Sequence, residues 1–372
     1  MERYINIVDY HQRKNNKHIL FNKHVTGCPK CSVPEKYMVI NQHGAVYICM
    51  SPAWLPKSIG SVLDYNNLLD LLNSHEARAI RSEISRGRYN YCNHNICDYL
   101  SILEPGASIV KSPQHPDDFI LLDEHEFTED SYTTKLPAEI CFDFDYTCNF
   151  RCPSCRNEII NNNHGMIWEE NKKIVEKIKH LIIDRYTDST VTFRWAGGEP
   201  FVSDAYLKLW EYIVDTERVG IRNIIQTNGS YLIKRKKLIE SFLPYVDMIR
   251  ISFDAGTKNT YEAIRRNGEW ETLLENCRFI KNLIEKSGEK VILLSDFVTQ
   301  KDNYQELEEY VSVVDNLGFD LISAGKMWNW GTWSDDQFEH LNVSDPTHPE
   351  YQKLVSIIKN INNPKFRQTV VA

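Results

Sequence analysis

From residue 136 onward, short runs rich in β-branched and aromatic residues alternate with longer stretches whose apolar residues recur every three or four positions. The first pattern is that of buried strands and the second that of amphipathic helices. Strands are predicted at Ala138–Phe144, Val191–Ala196, Asn223–Gln226, Met248–Asp254, Val291–Phe297 and near Phe319–Ala324. Between the first two, Ile174, Val175, Ile178, Leu181 and Ile182 mark a helix over roughly Glu169–Asp184. Asn303 and Glu306 have the spacing of a capping box for the helix after the fifth strand. This alternation predicts an α/β fold with a parallel sheet. Six strand–helix units are fewer than the eight of a closed barrel. The expected object is a partial (β/α)6 barrel of the TIM type, with its active site at the C-terminal ends of the strands.

The first hundred residues follow a different rhythm. Tyr37–Ile40 and Ala45–Ile48 flank Asn41-Gln42-His43-Gly44, which reads as a β-hairpin with a glycine-containing turn. Leu68, Leu69, Leu71, Leu72, Ala77 and Ile80 give residues 66–86 helical periodicity, ending near Gly87. Residues 1–27 hold short apolar patches and no motif. From about Glu104 to Pro137, scattered prolines and the acidic positions Asp117, Asp118, Asp123, Glu124 and Glu126 read as a linker. The expected division is a small β-hairpin/helix domain over 1–104, a linker over 105–136, a barrel core over 137–331 and an extension over 332–372. In that extension Leu354–Ile361 reads as a short helix, after which the chain frays.

Composition narrows the function. Of the 372 residues, 42% are hydrophobic and 25% charged, which is ordinary for a globular protein. A net charge of -8 argues against a nucleic-acid partner, since phosphate binding needs a basic face. The run Lys234-Arg235-Lys236-Lys237 reads as a solvated helix face. No signal peptide opens the chain and no apolar run has the length of a membrane span, so no membrane role is expected. Ten cysteines are many, and they are clustered. Without an export signal they read as metal ligands in a reducing cytoplasm rather than as disulfides.

The densest cluster is Cys148-Asn149-Phe150-Arg151-Cys152-Pro153-Ser154-Cys155, directly after the first barrel strand. Zinc sites favour paired cysteines with four ligands, and here a fourth is missing nearby. Three thiolates on one loop suit a [4Fe–4S] cluster with one iron left open. At this loop the chain resembles the radical S-adenosylmethionine (SAM) family, with Ser154 standing where that family usually has an aromatic residue. The resemblance implies that Cys148, Cys152 and Cys155 hold the cluster, that SAM chelates the open iron, and that reduction yields a 5′-deoxyadenosyl radical which takes a substrate hydrogen. It also implies SAM contacts at the strand ends. Gly197-Gly198-Glu199 matches the family's GGE motif, with the carboxylate toward the methionyl ammonium. Asn228, within Thr227-Asn228-Gly229, offers a polar contact, and Ser252 and Asp254 alternate on one face of the fourth strand. Arg265, in Arg265-Arg266-Asn267-Gly268, matches an arginine that contacts the SAM carboxylate in relatives.

A second set comprises Cys28, Cys31, Cys49, Cys92 and Cys97, with Gly44 and Cys49 spaced as Gly-x4-Cys. It is similar to the auxiliary-cluster modules called SPASM and twitch, placed here before the core. That similarity implies one auxiliary [4Fe–4S] cluster, held by Cys49, Cys92, Cys97 and either Cys28 or Cys31. A four-cysteine zinc knuckle satisfies the same spacing. His94 reads as a bystander. Trp328, Trp330 and Trp333 either line a substrate mouth or pack a domain interface, while Cys141 and Cys277 read as small buried hydrophobes. Such modules accompany enzymes that modify a peptide or protein side chain, or that dehydrogenate or epimerise a sugar or cyclitol. The first substrate class is the leading expectation. No leader-recognition domain is expected in the 27 residues before Cys28, so a peptide would be gripped by the barrel rim or a separate protein. A flavodoxin or ferredoxin is the expected electron donor. An iron–sulfur electron-transfer protein without SAM chemistry is the reading from a different class.

Overall fold

The computed structural model describes residues 31–85, 88–93, 97, 134–187 and 189–370. Two compact units divide the chain: residues 1–145 with 169–193, and residues 146–168 with 194–372. Cys28, His94 and nearly all of the expected linker lie outside the described residues.

In the first unit the hairpin forms as the pattern predicts. Strand β1 (Tyr37–Asn41) pairs antiparallel with β2 (Ala45–Tyr47), Val39 opposite Tyr47 and Ile40 opposite Val46. The turn works because Asn41 Oδ1 accepts from Gln42 N, while His43 and Gly44 take positive φ. A Cβ on Gly44 would lie 2.9 Å from the Val62 side chain, so glycine is required there for space as well as for backbone angle. Strand β3 (Gly60–Ser61) continues the antiparallel edge, and β4 (Glu139–Asp143) pairs with β1 in parallel. The predicted helix over 66–86 is instead two, Leu68–Leu72 and His75–Ser85. The break falls at Asn73-Ser74. Ser74 Oγ donates to Ile59 O and accepts from Ala77 N, and so caps the second helix. Hydrogen bonding by the side chains of Ser and Asn competes with helix continuation, which apolar periodicity does not register. Leu68, Leu71, Ala77 and Ile80 are fully buried on both sides of the break.

Counted from β4, six strands are each followed by a helix along the chain, as the pattern predicts. In the second unit β5 (Val191–Trp195, of which the last two residues belong here), β6 (Ile221–Thr227), β7 (Val246–Ser252), β8 (Ile292–Thr299) and β9 (Leu321–Lys326) follow in spatial order. The pairs from β6 to β9 are parallel. Buried aromatics fill the space between sheet and helices. Trp195 donates to Asn223 Oδ1 and meets Trp210 edge-on, while Trp210 stacks on Phe242.

Two expectations fail here. The tail does not fray after its helix (Tyr351–Asn360), because Phe366–Gln368 adds a strand, β10, in parallel beside β9. Three residues are too few to show a period. Asn303 and Glu306 form no capping box. Asn303 donates to Asp254 O and Val298 O, and the Glu306 carboxylate accepts from Gly256 N, Thr257 N and the Thr257 and Thr260 hydroxyls. Both side chains are spent on tying the loop after β7 to the segment after β8.

Candidate active site at the strand ends

The three loop cysteines share one cavity of about 270 Å³. Its other walls come from the C-terminal ends of successive strands: Ala196–Glu199 after β5, Gln226–Asn228 at β6, Ser252 and Asp254 at β7, Val298 on β8, and Met327, Trp328 and Trp330 after β9. Arg156 and Arg265 complete it. All seven cofactor contacts expected from sequence, and all three loop cysteines, therefore meet in one place.

The loop is pinned rather than merely exposed. Cys148 and Ile160 exchange backbone hydrogen bonds, and Cys155 N and Arg156 N both donate to Cys152 O, which makes a tight turn around the second and third cysteines. Asn149 Oδ1 accepts from Asn228 Nδ2, so the side chain of Asn228 braces the cysteine loop. Its Oδ1 is taken by Ser230 N and Oγ. Gly198 is needed for close approach, since a Cβ there would fall 2.0 Å from Thr147 O. Glu199 N donates to that same carbonyl.

Glu199 is 1% exposed. Its Oε1 accepts from Thr227 Oγ1 and Phe201 N, and its Oε2 from Asn228 N. A carboxylate has about four acceptor positions, so one on Oε2 remains for a cation. Burial nonetheless pushes its pKa up to about 7, against the pull of those hydrogen bonds. Asp254 differs from expectation. It lies beyond the end of β7 at positive φ and does not continue the strand alternation with Ser252. Its Oδ1 accepts from Val298 N and its Oδ2 pairs with Arg265 Nη2 at 2.7 Å. Burial raises its pKa while Arg265 opposes the rise. Ser252 Oγ accepts from Gln226 Nε2, which also reaches Asp296 Oδ2, and Arg250 holds Asp296 through two bonds.

Burial also raises the thiols of Cys148, to about 12, and of Cys152, and an arginine is the strongest opposing influence on each: Arg156 for Cys148, Arg265 for Cys152. Arg156 Nη2 lies 3.3 Å from Cys155 Sγ and Arg265 Nη1 3.8 Å from Cys152 Sγ. Sequence reasoning missed Arg156, whose only signal was its place after the third cysteine. Arg265 Nε is buried and, among the described residues, has no hydrogen-bond partner. Three thiols, two guanidiniums and an orphaned N–H around one cavity fit an anionic cluster and a carboxylate-bearing ligand.

In the first unit, Cys31, Cys49, Cys92 and Cys97 also sit together. Burial raises Cys49 and Cys92, and the other cysteines of the four raise them further. Asn93 N and Nδ2 donate to Trp54 O and Ala53 O, drawing the Cys92 segment to the loop after Cys49. None of the nine described cysteines forms a disulfide, and among the described residues no three His, Cys, Asp or Glu side chains converge tightly enough to be a preformed metal site. Cys277 is fully buried in the helix Trp270–Ser287, and Cys141 packs against Val39 and Tyr47.

Residues 144–314 match the model of the radical SAM superfamily, and residues 31–98 match that of the iron–sulfur cluster-binding domain SPASM. A radical SAM domain thus spans residues 144–314. The two domains imply [4Fe–4S] clusters and bound SAM. Among curated proteins, the SAM-dependent nucleotide dehydratase RSAD2 of Oncorhynchus mykiss is 24% identical over 159 residues, 42% of each chain. A protein of Methanocaldococcus jannaschii named as a glycyl-radical enzyme activating enzyme is 25% identical over 240 residues, 63% of this chain and 90% of the relative. Of solved structures, Streptococcus suis SuiB aligns with 14% identity and a TM-score of 0.43 over 63% of this chain and 49% of its own. The chain thus spans less than half the length of the dehydratase relative and about half that of SuiB. Among the described residues no helix is long and apolar enough to cross a membrane.

Proposed function

We propose that this protein is a radical SAM enzyme that modifies a peptide or protein side chain, with an auxiliary cluster in its N-terminal domain assisting oxidation or substrate binding. One observation carries the reading: the three cysteines of the loop open onto the cavity that Glu199, Asn228, Ser252, Asp254 and Arg265 also line. Bound there, a reduced [4Fe–4S] cluster supplies the electron that splits SAM into methionine and a radical able to take hydrogen from substrate. Cys148, Cys152 and Cys155 are the cluster ligands in this reading. The free acceptor position of Glu199 takes the methionyl ammonium, and Arg265, oriented by Asp254, takes the carboxylate through its unpartnered N–H. Asn228 and Gly198 keep the cysteine loop against the strand ends. Cys49, Cys92, Cys97 and either Cys28 or Cys31 are the auxiliary ligands in this reading, and Cys31 is near enough to Cys49 and Cys92 to raise both thiols.

A peptide substrate agrees with the SPASM-type domain and with the aromatic wall of Met327, Trp328 and Trp330, which offers a large apolar surface for a side chain. The partly buried Arg250–Asp296 pair beside Gln226 and Ser252 adds polar partners for an amide or hydroxyl, and a sugar-type small molecule uses the same groups. A low-potential donor such as flavodoxin or ferredoxin, in a reducing cytoplasm, suits cysteines without disulfides.

The test has two stages. Anaerobic, dithionite-reduced protein is expected to release 5′-deoxyadenosine from SAM, and Cys152→Ala is expected to lose that activity; unchanged cleavage in the variant sinks the site assignment. Perdeuterated peptide and small-metabolite fractions are then offered separately. Deuterium entering 5′-deoxyadenosine from the peptide fraction supports the substrate class, and deuterium from the small-metabolite fraction alone overturns it.

A further inference from the structure

The two arginines at the cysteines are not equivalent. Arg265 is neutralised by Asp254 at 2.7 Å. Arg156 is 7% exposed and gives Nη1 to Tyr146 O at 2.8 Å and Nη2 to Gly197 O at 2.9 Å and Cys155 Sγ at 3.3 Å. The groups that raise its pKa are the thiols of Cys155, Cys148 and Cys152, and among the described residues it makes no ion pair with a carboxylate. A buried cation without a counter-charge is costly, and carbonyl dipoles offset that cost only in part. Its geometry makes sense if the counter-charge arrives with the thiolates and what they bind.

We propose that Arg156 is the built-in counter-ion of the site cluster and sets its reduction potential upward. This rests on the cluster assignment above. One electron from a low-potential donor adds one negative charge to the cluster and its thiolates; no bond forms or breaks in that step. A fixed cation hydrogen-bonded to a ligand sulfur stabilises the more negative reduced form more than the oxidised one. Arg265 contributes less because Asp254 cancels most of its field. Arg156 is a positioning and tuning residue, since it acts through Cys155 and not on substrate.

The experiment is an anaerobic redox titration of the reconstituted full chain without substrate, followed by electron paramagnetic resonance, with iron and sulfide counted on each sample. The signal that changes on adding SAM identifies the site cluster, and its absence in the Cys148/Cys152/Cys155→Ala protein ties it to the loop. If no signal answers to SAM or to that triple variant, the cluster assignment fails rather than the role of Arg156. Arg156→Gln is expected to shift the reduced-to-oxidised ratio at a fixed potential at least tenfold toward oxidised, about 59 mV for a one-electron couple. Arg156→Lys is expected to stay within threefold of wild type. A glutamine variant that holds its iron and titrates like wild type overturns the proposal. Should the glutamine variant lose iron, retention of iron and potential by the lysine variant sustains it. Equal loss in both variants, with a matching fall in melting temperature, makes Arg156 a loop brace and overturns it.

Discussion

The two cysteine groups are built on opposite electrostatic plans. At the strand ends, three thiols face a cavity and two arginines reach toward their sulfurs. In the first unit, four thiols sit together, and no cation figures among the groups that shift Cys49 and Cys92; there the other cysteines raise the pKa that burial has already raised. A three-ligand group with positive charge and open space is ready to accept an anionic, exchangeable ligand. A group of four cysteines can be complete in itself, as a closed cluster or a structural zinc is. If the three-cysteine group holds the cluster that cleaves SAM, the four-cysteine group is left to relay electrons, bind substrate or hold the domain together.

The largest effect that tests this contrast comes from the cysteines. Replacing any one of Cys148, Cys152 or Cys155 with Ala is expected to lower SAM cleavage at least about 100-fold, since losing even an outer-shell partner of a metal ligand costs about 10- to 100-fold. Replacing Cys49 and Cys92 with Ser is expected to reduce iron by about half, from roughly eight to roughly four per chain. That variant should keep SAM cleavage within about threefold, because its cysteines are not in the cavity. Elemental analysis beside a 5′-deoxyadenosine assay reads both. Zinc in place of half the iron would make the N-terminal group a structural knuckle and remove the oxidative part of the mechanism.

Glu199 gives the next effect, and its sign follows from burial. Its folded pKa of about 7 stands above the ordinary 4.5, so between those values the folded protein holds a proton that the unfolded chain has released. Stability from this group is fully present below pH 4.5 and is lost as the pH rises through about 7, on the order of 3 kcal/mol in the SAM-free protein. Glu199→Gln should remove that slope. It should also cost about 1–3 kcal/mol outright, because an amide NH2 then faces one of the donors Thr227, Phe201 or Asn228. Denaturant midpoints across pH 4–8 measure both. A wild-type slope that persists in the variant means another group titrates.

Much of this was legible in the chain. Period-two and period-3.6 apolar patterns located the hairpin and all six barrel strands to within a few residues, because strands buried under helices have little freedom in composition. The motif residues were legible because backbone constraints select them, as at Gly198, where no side chain fits. What stayed hidden was side-chain pairing across distance. Nothing in Ser252-Phe253-Asp254 announces that Asp254 leaves the strand to meet Arg265, or that Arg156 turns back on Cys155. The helix break at Ser74 and the three-residue β10 were hidden for a related reason: each depends on a partner far along the chain, Ile59 or β9.

The smallest effect tests the open side of the contrast. Trp330 lines the cavity and is 42% exposed, so part of its ring stays open to water and to anything that enters. Trp330→Ala is expected to cost about 1 kcal/mol of stability and to leave substrate-free SAM cleavage unchanged, since Trp330 makes no hydrogen bond to the cysteines or the two arginines. A bound side chain would feel the loss. Stacking against an indole is worth about 0.5–1.5 kcal/mol beyond area burial, so deuterium transfer from substrate at subsaturating concentration should fall about two- to thirteenfold. If Trp330→Ala leaves deuterium transfer untouched, substrate enters elsewhere, and the aromatic wall serves to keep water from the cavity instead.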